Sequence, residues 1–322
     1  MEFRETDEPQ GLLVLFSLPK SGSQALEAAL NAGFVRDTSG RHAPWTKEVP
    51  NGLNIDMPLT RKHLRKHGNS GFIKTHAPCT FATLDAMAAD GNNRYLVVVR
   101  NPVDQLVAFY CHVLKHINMH RVPGHPELIC TTPMANCRAD AFATGRIDDG
   151  LLHLIRDGYL DGCLRWMADW LHFRSASGSR VVRYENFISN TADVLLGLQN
   201  FMSDFVDFSG DHLANAVKAL ADYRRKSYEA NDNRDQFYPR GWTGTADVRT
   251  RYLSAAAMKT ARDVVAQFSA TSPHGRLVTD LYPELLSDDV RAQRQLRNHS
   301  VALRAVRRGQ VDAGDPLSLE IS

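Results

Sequence analysis

Lys20, Lys74, His76, Arg100 and Tyr184 share one placement in this sequence: each stands where a short apolar run gives way to polar residues. The first is the most informative. Residues 12–16 are apolar, Pro19 breaks the run, and Lys20-Ser21-Gly22-Ser23 leads into an Ala-, Leu- and Glu-rich stretch. That order spells a strand, a tight polar loop and a helix start. Such a loop gathers backbone N–H groups, two hydroxyls and one ammonium at the positive end of a helix dipole, where phosphate binds. The plainer alternative is an ordinary βα turn with an exposed lysine.

The same punctuation recurs. Residues 71–75 form a short strand, preceded by a basic helix over 59–67 and stopped at His76 and Pro78; Lys74, two residues before His76, lies on the same face. Residues 94–99 are a continuous apolar run suited to a central parallel strand, ending at Arg100-Asn101-Pro102 ahead of a helical pattern. Residues 180–184 form a fourth strand, closed by Glu185-Asn186. Strands alternating with helices predict an α/β fold, a single domain with a central parallel sheet flanked by helices. Its ligand crevice lies beyond the strand carboxyl ends. All five residues should face that crevice. Taken singly, each has a plainer role: His76 as a core-edge histidine, Arg100 in a strand-terminal salt bridge, Tyr184 as a core aromatic with its hydroxyl at the rim.

With 322 residues, 43% of them hydrophobic and 23% charged, the chain can bury a full core. Its 38 basic and 36 acidic residues leave a net charge of +2, so no overall field draws it to nucleic acid and a basic site must be local. Cys79, Cys111, Cys130, Cys137 and Cys163 are odd in number and show no CxxC spacing, which predicts thiols in a reducing compartment, the cytoplasm. The opening MEFRETDEPQ is acidic and polar, unlike a signal peptide, and no stretch reaches the roughly 18 apolar residues of a membrane span.

PKSGS, then KTH, then RNP opening a helix, then a strand ending in YEN, resembles the sulfotransferases that use 3′-phosphoadenosine 5′-phosphosulfate (PAPS), the soluble cytosolic-type ones in particular. Phe237-Tyr238-Pro239-Arg240-Gly241-Trp242-Thr243-Gly244 is similar to that family's C-terminal nucleotide loop, so the likeness runs in order from residue 11 to 283. The resemblance implies a sulfotransferase domain over residues 11–285, to which the sequence adds a basic helix and flexible tail over 286–322. It implies a P-loop-like loop of Lys20, Ser21, Gly22, Ser23 and Gln24 on the 5′-phosphosulfate. Arg100, Tyr184, Arg240 and Gly241 complete the nucleotide site, and His76 is the catalytic base.

Three positions depart from the family pattern. Ser23-Gln24-Ala25 stands where the family has Thr-Thr-Trp or a close variant, Ala108 where it has a serine on the 3′-phosphate, and Pro239-Arg240-Gly241 where it has Arg-Lys-Gly. The 3′-phosphate should then rest chiefly on Arg100 and Arg240, whose guanidinium forks bind bidentately. Sulfuryl transfer resembles phosphoryl transfer, an in-line displacement promoted by positioning and charge stabilisation. Lys20 would stabilise the departing phosphate, the N–H groups of Gly22 and Ser23 its non-bridging oxygens, and Lys74 the transferring group. His76, an imidazole with an ordinary pKa of about 6.5, would take the acceptor's proton. The expected acceptor is a small molecule with a hydroxyl or amine, without metal, nucleic acid or membrane; a homodimer is compatible with this.

His112, His116 and His120 recur every four residues, followed by His125, Cys130 and Cys137, a spacing that zinc can use. No carboxylate or CxxC partner accompanies them, and the family lines its acceptor mouth here. Residues 121–150, rich in Pro, Gly and polar residues, are expected as a lid or insertion around that mouth. Residues 158–172, with Trp166 and Trp170, and 213–223 read as scaffold helices. Two other classes compete. A small-molecule or nucleoside kinase would want GxxxxGK[ST], whereas here the lysine precedes the glycine. A non-catalytic nucleotide-binding module would explain Gln24, Ala25 and Ala108 but not the retention of Lys20, Lys74 and His76.

Overall fold

The computed structural model of the chain describes residues 11–33, 58–66, 70–89, 91–119, 147–203, 208, 210–232 and 252–287. Four strands, β1 (Gly11–Ser17), β2 (Ser70–Thr75), β3 (Arg94–Val99) and β4 (Ser179–Arg183), form one sheet in the order β2-β1-β3-β4. Every neighbouring pair is parallel. The helices of the first half are α1 (Ser23–Gly33), α2 (Arg61–Lys66), α3 (Phe81–Ala88) and α4 (Pro102–Met119). Then come α5 (Ile147–Arg156), α6 (Tyr159–Ser177), α7 (Tyr184–Ser189), α8 (Thr191–Gln199), α9 (Asp211–Asp232), α10 (Ala255–Thr271) and α11 (Gly275–Leu281). This is the expected single α/β domain, and all four strands start and stop within one residue of their sequence-read limits.

Alternation along the strands builds two cores. Leu12, Val14, Phe16, Ile73, Tyr95, Val97 and Val99 face a cluster filled by α4, α6 and α10, including Leu106, Trp170 and Val265. Leu13, Leu15, Phe72, Leu96, Val98 and Val182 face α1, α7, α8 and α9 through Leu26, Phe187, Leu195 and Leu220. β1 is buried on both faces along its whole length, as a central parallel strand requires. Full burial of each large apolar side chain is worth about 1.5–3 kcal/mol, so β1 anchors both layers. The chain leaves β1 toward β2 on one side and returns to β3 on the other, which puts the topological switch point between the carboxyl ends of β1 and β3.

Helix ends are set locally. Pro102 occupies the first position of α4, and the Asn101 side chain accepts from the Val103 and Asp104 amides at 3.1 and 3.4 Å. Thr80 caps α3 and Ser254 caps α10 in the same way. Tyr184, read from sequence as the end of a strand, is instead the first residue of α7. The N-terminal decapeptide, residues 121–146 of the segment expected as a lid or insertion, the expected nucleotide loop with Arg240 and Gly241, and the tail from residue 288 lie outside the described residues; the end of the expected lid, residues 147–150, is instead the first turn of α5.

Candidate active site

Beyond Ser17 the chain turns sharply. Lys20 adopts φ +67 and Gly22 φ +93, left-handed conformations that cost a side-chain-bearing residue on the order of 1–3 kcal/mol. Contacts from the neighbouring strand end hold the turn. Nη1 of Arg100 donates to the Lys20 carbonyl at 2.8 Å, and Nε2 of Gln105 donates to the Pro19 carbonyl at 2.6 Å. The Ser21 amide closes back on Leu18 at 3.1 Å, and the Gly22 carbonyl accepts the amides of Ala25 and Leu26, opening α1. A Cβ at Gly22 would overlap the Tyr184 ring, which therefore packs directly against the loop. On that ring sits the Arg100 guanidinium, its carbon 4.7 Å from the centroid. Burial raises the Tyr184 hydroxyl above its ordinary pKa, with the Arg100 cation partly offsetting it, so the phenol stays neutral.

Two groups in this cluster are buried with no hydrogen-bond partner among the described residues: Oγ of Ser21 and Nε of Arg100. Native interiors rarely leave such atoms orphaned, and their cost is recovered when a ligand pairs with them.

The neighbouring strand delivers His76. Its Nδ1–H donates to the Ser17 carbonyl at the end of β1, which fixes the tautomer with the lone pair on Nε2. The peptide around it is held from α6: Nε1 of Trp166 lies 3.1 Å from the Ala77 carbonyl and 3.3 Å from that of His76, and Nε1 of Trp170 lies 3.4 Å from Ala77. Lys74, opposite Leu15 in the ladder, turns toward α1 and pairs with Oε2 of Glu27 at 3.1 Å. Only 11% of its side chain is exposed, so the ammonium lies under the loop helix.

Behind Arg100 runs a polar network that sequence reasoning missed. Oε1 of Glu185 accepts the Asn101 amide at 2.7 Å and its Oε2 accepts the Tyr282 hydroxyl at 3.1 Å. Nδ2 of Asn101 reaches Glu284 at 3.1 Å. Burial pushes the Tyr282 hydroxyl well up, with the Glu185 carboxylate adding to the effect, so it remains a donor. The YEN signal named Glu185 without indicating that it pins the strand end carrying Arg100. Gln105, Glu27 and the two tryptophan N–H groups were likewise invisible as site supports.

Lys20, Ser21, Gly22, Arg100, Tyr184 and His76 thus meet at the carboxyl ends of β1, β2, β3 and β4. Ser23 opens α1, and Gln24 accepts from the Tyr223 hydroxyl of α9 at 3.1 Å on an exposed edge. The backbone of His112 and His116 belongs to α4; His120, His125, Cys130 and Cys137 lie outside the described residues. Cys79, Cys111 and Cys163 are free, buried thiols. Among the described residues no group of three or more His, Cys, Asp or Glu could hold a metal ion, and no helix is long and apolar enough to cross a membrane.

A family model described as the sulfotransferase domain matches residues 11–232. The crystal structure of mouse sulfotransferase SULT7A1 complexed with PAP shares the fold, with a TM-score of 0.53 at 15% sequence identity, over 84% of this chain and 89% of that one. No curated protein sequence matches this chain.

Proposed function

Because this chain belongs to the sulfotransferase domain family, we propose that it moves a sulfuryl group from PAPS to a hydroxyl or amine of a small-molecule acceptor, with His76 as general base. The observation that carries this reading is the pair of buried, unpartnered groups beside Lys20, the Ser21 hydroxyl and the Arg100 Nε. The two phosphates of such a donor would give each of them an acceptor. The donor set, one ammonium, one guanidinium, a hydroxyl and the first amides of α1, suits a phosphorylated nucleotide. The mouse neighbour's ligand, PAP, is what PAPS becomes after losing its sulfuryl group.

PAPS supplies an activated sulfuryl group on a phosphate leaving group. Lys20 offsets the charge that grows on that phosphate, and the N–H groups of Gly22 and Ser23 bind its remaining oxygens. Arg100, with Arg240 and Gly241, takes the 3′-phosphate, and Tyr184 walls the site beneath Arg100. The Ser17 carbonyl keeps the proton of His76 on Nδ1, so Nε2 is the nitrogen able to accept the proton of the attacking acceptor. Lys74, held by Glu27, contributes positive potential from the α1 side. The catalytic unit spans residues 11–285 with 286–322 as an appendage. The free thiols at Cys79, Cys111 and Cys163 support a reducing, cytoplasmic setting.

The test is transfer of radiolabel from PAPS across a panel of phenol, alcohol, amine and sugar acceptors. Lys20→Ala should lower single-turnover transfer more than it lowers PAPS affinity, because the charge it balances appears in the transition state. Labelled phosphate transfer from ATP, without sulfuryl transfer, would sink the proposal in favour of a kinase.

A further inference from the structure

Gln105 lies in the first turn of α4, wholly buried, with every amide hydrogen committed. Nε2 donates to the Pro19 carbonyl at 2.6 Å and to the Tyr159 hydroxyl at 2.9 Å, while Oε1 accepts the Cys163 thiol at 3.2 Å. The orientation of the amide is forced. A carbonyl can only accept, so the atom facing Pro19 must be the nitrogen. A buried amide is costly unless fully bonded, and this one occupies a helix otherwise turned to the core by Val103, Leu106, Val107 and Phe109.

We infer that Gln105 is a positioning residue for the anion loop, turning the Pro19 peptide so that the left-handed Lys20 is held in place for the donor's 5′-phosphate. The inference rests on the PAPS reading above. In a planar trans peptide the N–H points opposite to the C=O, so fixing the Pro19 carbonyl on α4 sends the Lys20 N–H away from it. Arg100 fixes the next carbonyl, and the two bonds together oppose the strain at φ +67. The far end of the tie is α6. Tyr159 and Cys163 aim the Gln105 amide, and one and two turns on, Trp166 and Trp170 grip the peptides of His76 and Ala77. One face of one helix therefore registers the loop against the base.

The experiment is calorimetric titration of Gln105→Met, which keeps length and volume but cannot donate, with PAP and with adenosine 3′-monophosphate, which lacks the group the loop would hold. The variant should weaken PAP by about tenfold, the value of one hydrogen bond, and leave the monophosphate within about twofold. Equal weakening of both, or of neither, overturns the inference, since a merely structural residue would not separate them. Should the variant fail to fold, Tyr159→Phe removes one of the bonds aiming the amide. It should lower the preference for PAP about two- to fourfold, and an unchanged preference overturns the inference. An unmodified protein that binds the two nucleotides equally sinks the PAPS reading itself, and the inference with it, before any variant is made.

Discussion

Nη1 of Arg100 donates to the carbonyl oxygen of Lys20 at 2.8 Å, joining residues 80 apart in sequence, and this gives the arginine two duties. In the proposed scheme it binds one phosphate, and it also braces the loop that would hold the other. Arg240, in the C-terminal motif, carries only the first duty in the proposed scheme. Arg100→Ala should therefore weaken both PAP and adenosine 5′-monophosphate, whereas Arg240→Ala should weaken PAP alone. Each lost charge-assisted contact is worth about 1.5–3 kcal/mol, roughly 10- to 100-fold in affinity. If Arg100→Ala spares the 5′-monophosphate, the brace does not matter to the loop.

His76→Ala should lower turnover by about 10²-fold while PAP affinity stays nearly intact, because a general base acts in the transition state. The observation behind it is the Nδ1 bond to Ser17, which directs the ring's lone pair to Nε2. Turnover with a hydroxyl acceptor that survives the substitution would remove His76 from the mechanism.

Much of this site could be read before folding, and the reason is geometrical. A buried parallel strand is rich in apolar residues, so its end is visible where polar residues take over, and Lys20, His76 and Arg100 lie within three residues of those ends. What tertiary packing alone decides stayed hidden. Gln105 sits within an apolar helical stretch, Trp166 looks like scaffold until its N–H meets a carbonyl 89 residues away, and Glu27 reads as one more helix-forming residue until Lys74 reaches it. Lys74 illustrates the limit most clearly. Period-two alternation placed it on the same face as His76, but His76 lies past the strand's last residue, where alternation ends, and its ring turns to β1 while Lys74 turns to α1.

Burial pushes the Cys111 thiol up to about 12, and the Cys79 thiol to about 12 with the Asp169 carboxylate adding to it. Both exceed the unfolded value of 9.0. Stability derived from keeping them protonated is fully present below pH 9 and is lost as pH rises toward about 12. Thermal melts should hold steady between about pH 7 and 8.5 and fall above, with a shallower fall in Cys111→Ala. Site-resolved mass spectrometry after thiol alkylation at about pH 8 should find Cys79, Cys111 and Cys163 unlabelled until urea is added, since the thiolate is the nucleophile. Rapid labelling of Cys111 in the folded protein would contradict its burial.

The contact between Gly22 and Tyr184 makes the tightest demand on sequence in the loop. Alanine at position 22 meets two separate penalties: its Cβ overlaps the Tyr184 ring, and φ +93 suits glycine alone. The first is steric, about 1–3 kcal/mol as overpacking, and the second is conformational, about 1–2 kcal/mol. A double-mutant cycle separates them. Gly22→Ala should lower the melting temperature and weaken PAP by about tenfold or more; in a Tyr184→Ala background the same change should cost roughly 1–3 kcal/mol less, because the ring it strikes is gone. The conformational part should remain in both backgrounds. Simple additivity, with Gly22→Ala costing the same whether or not Tyr184 is present, would mean that the ring can swing aside, and the close seat of Arg100 on that ring would then not define the shape of the loop.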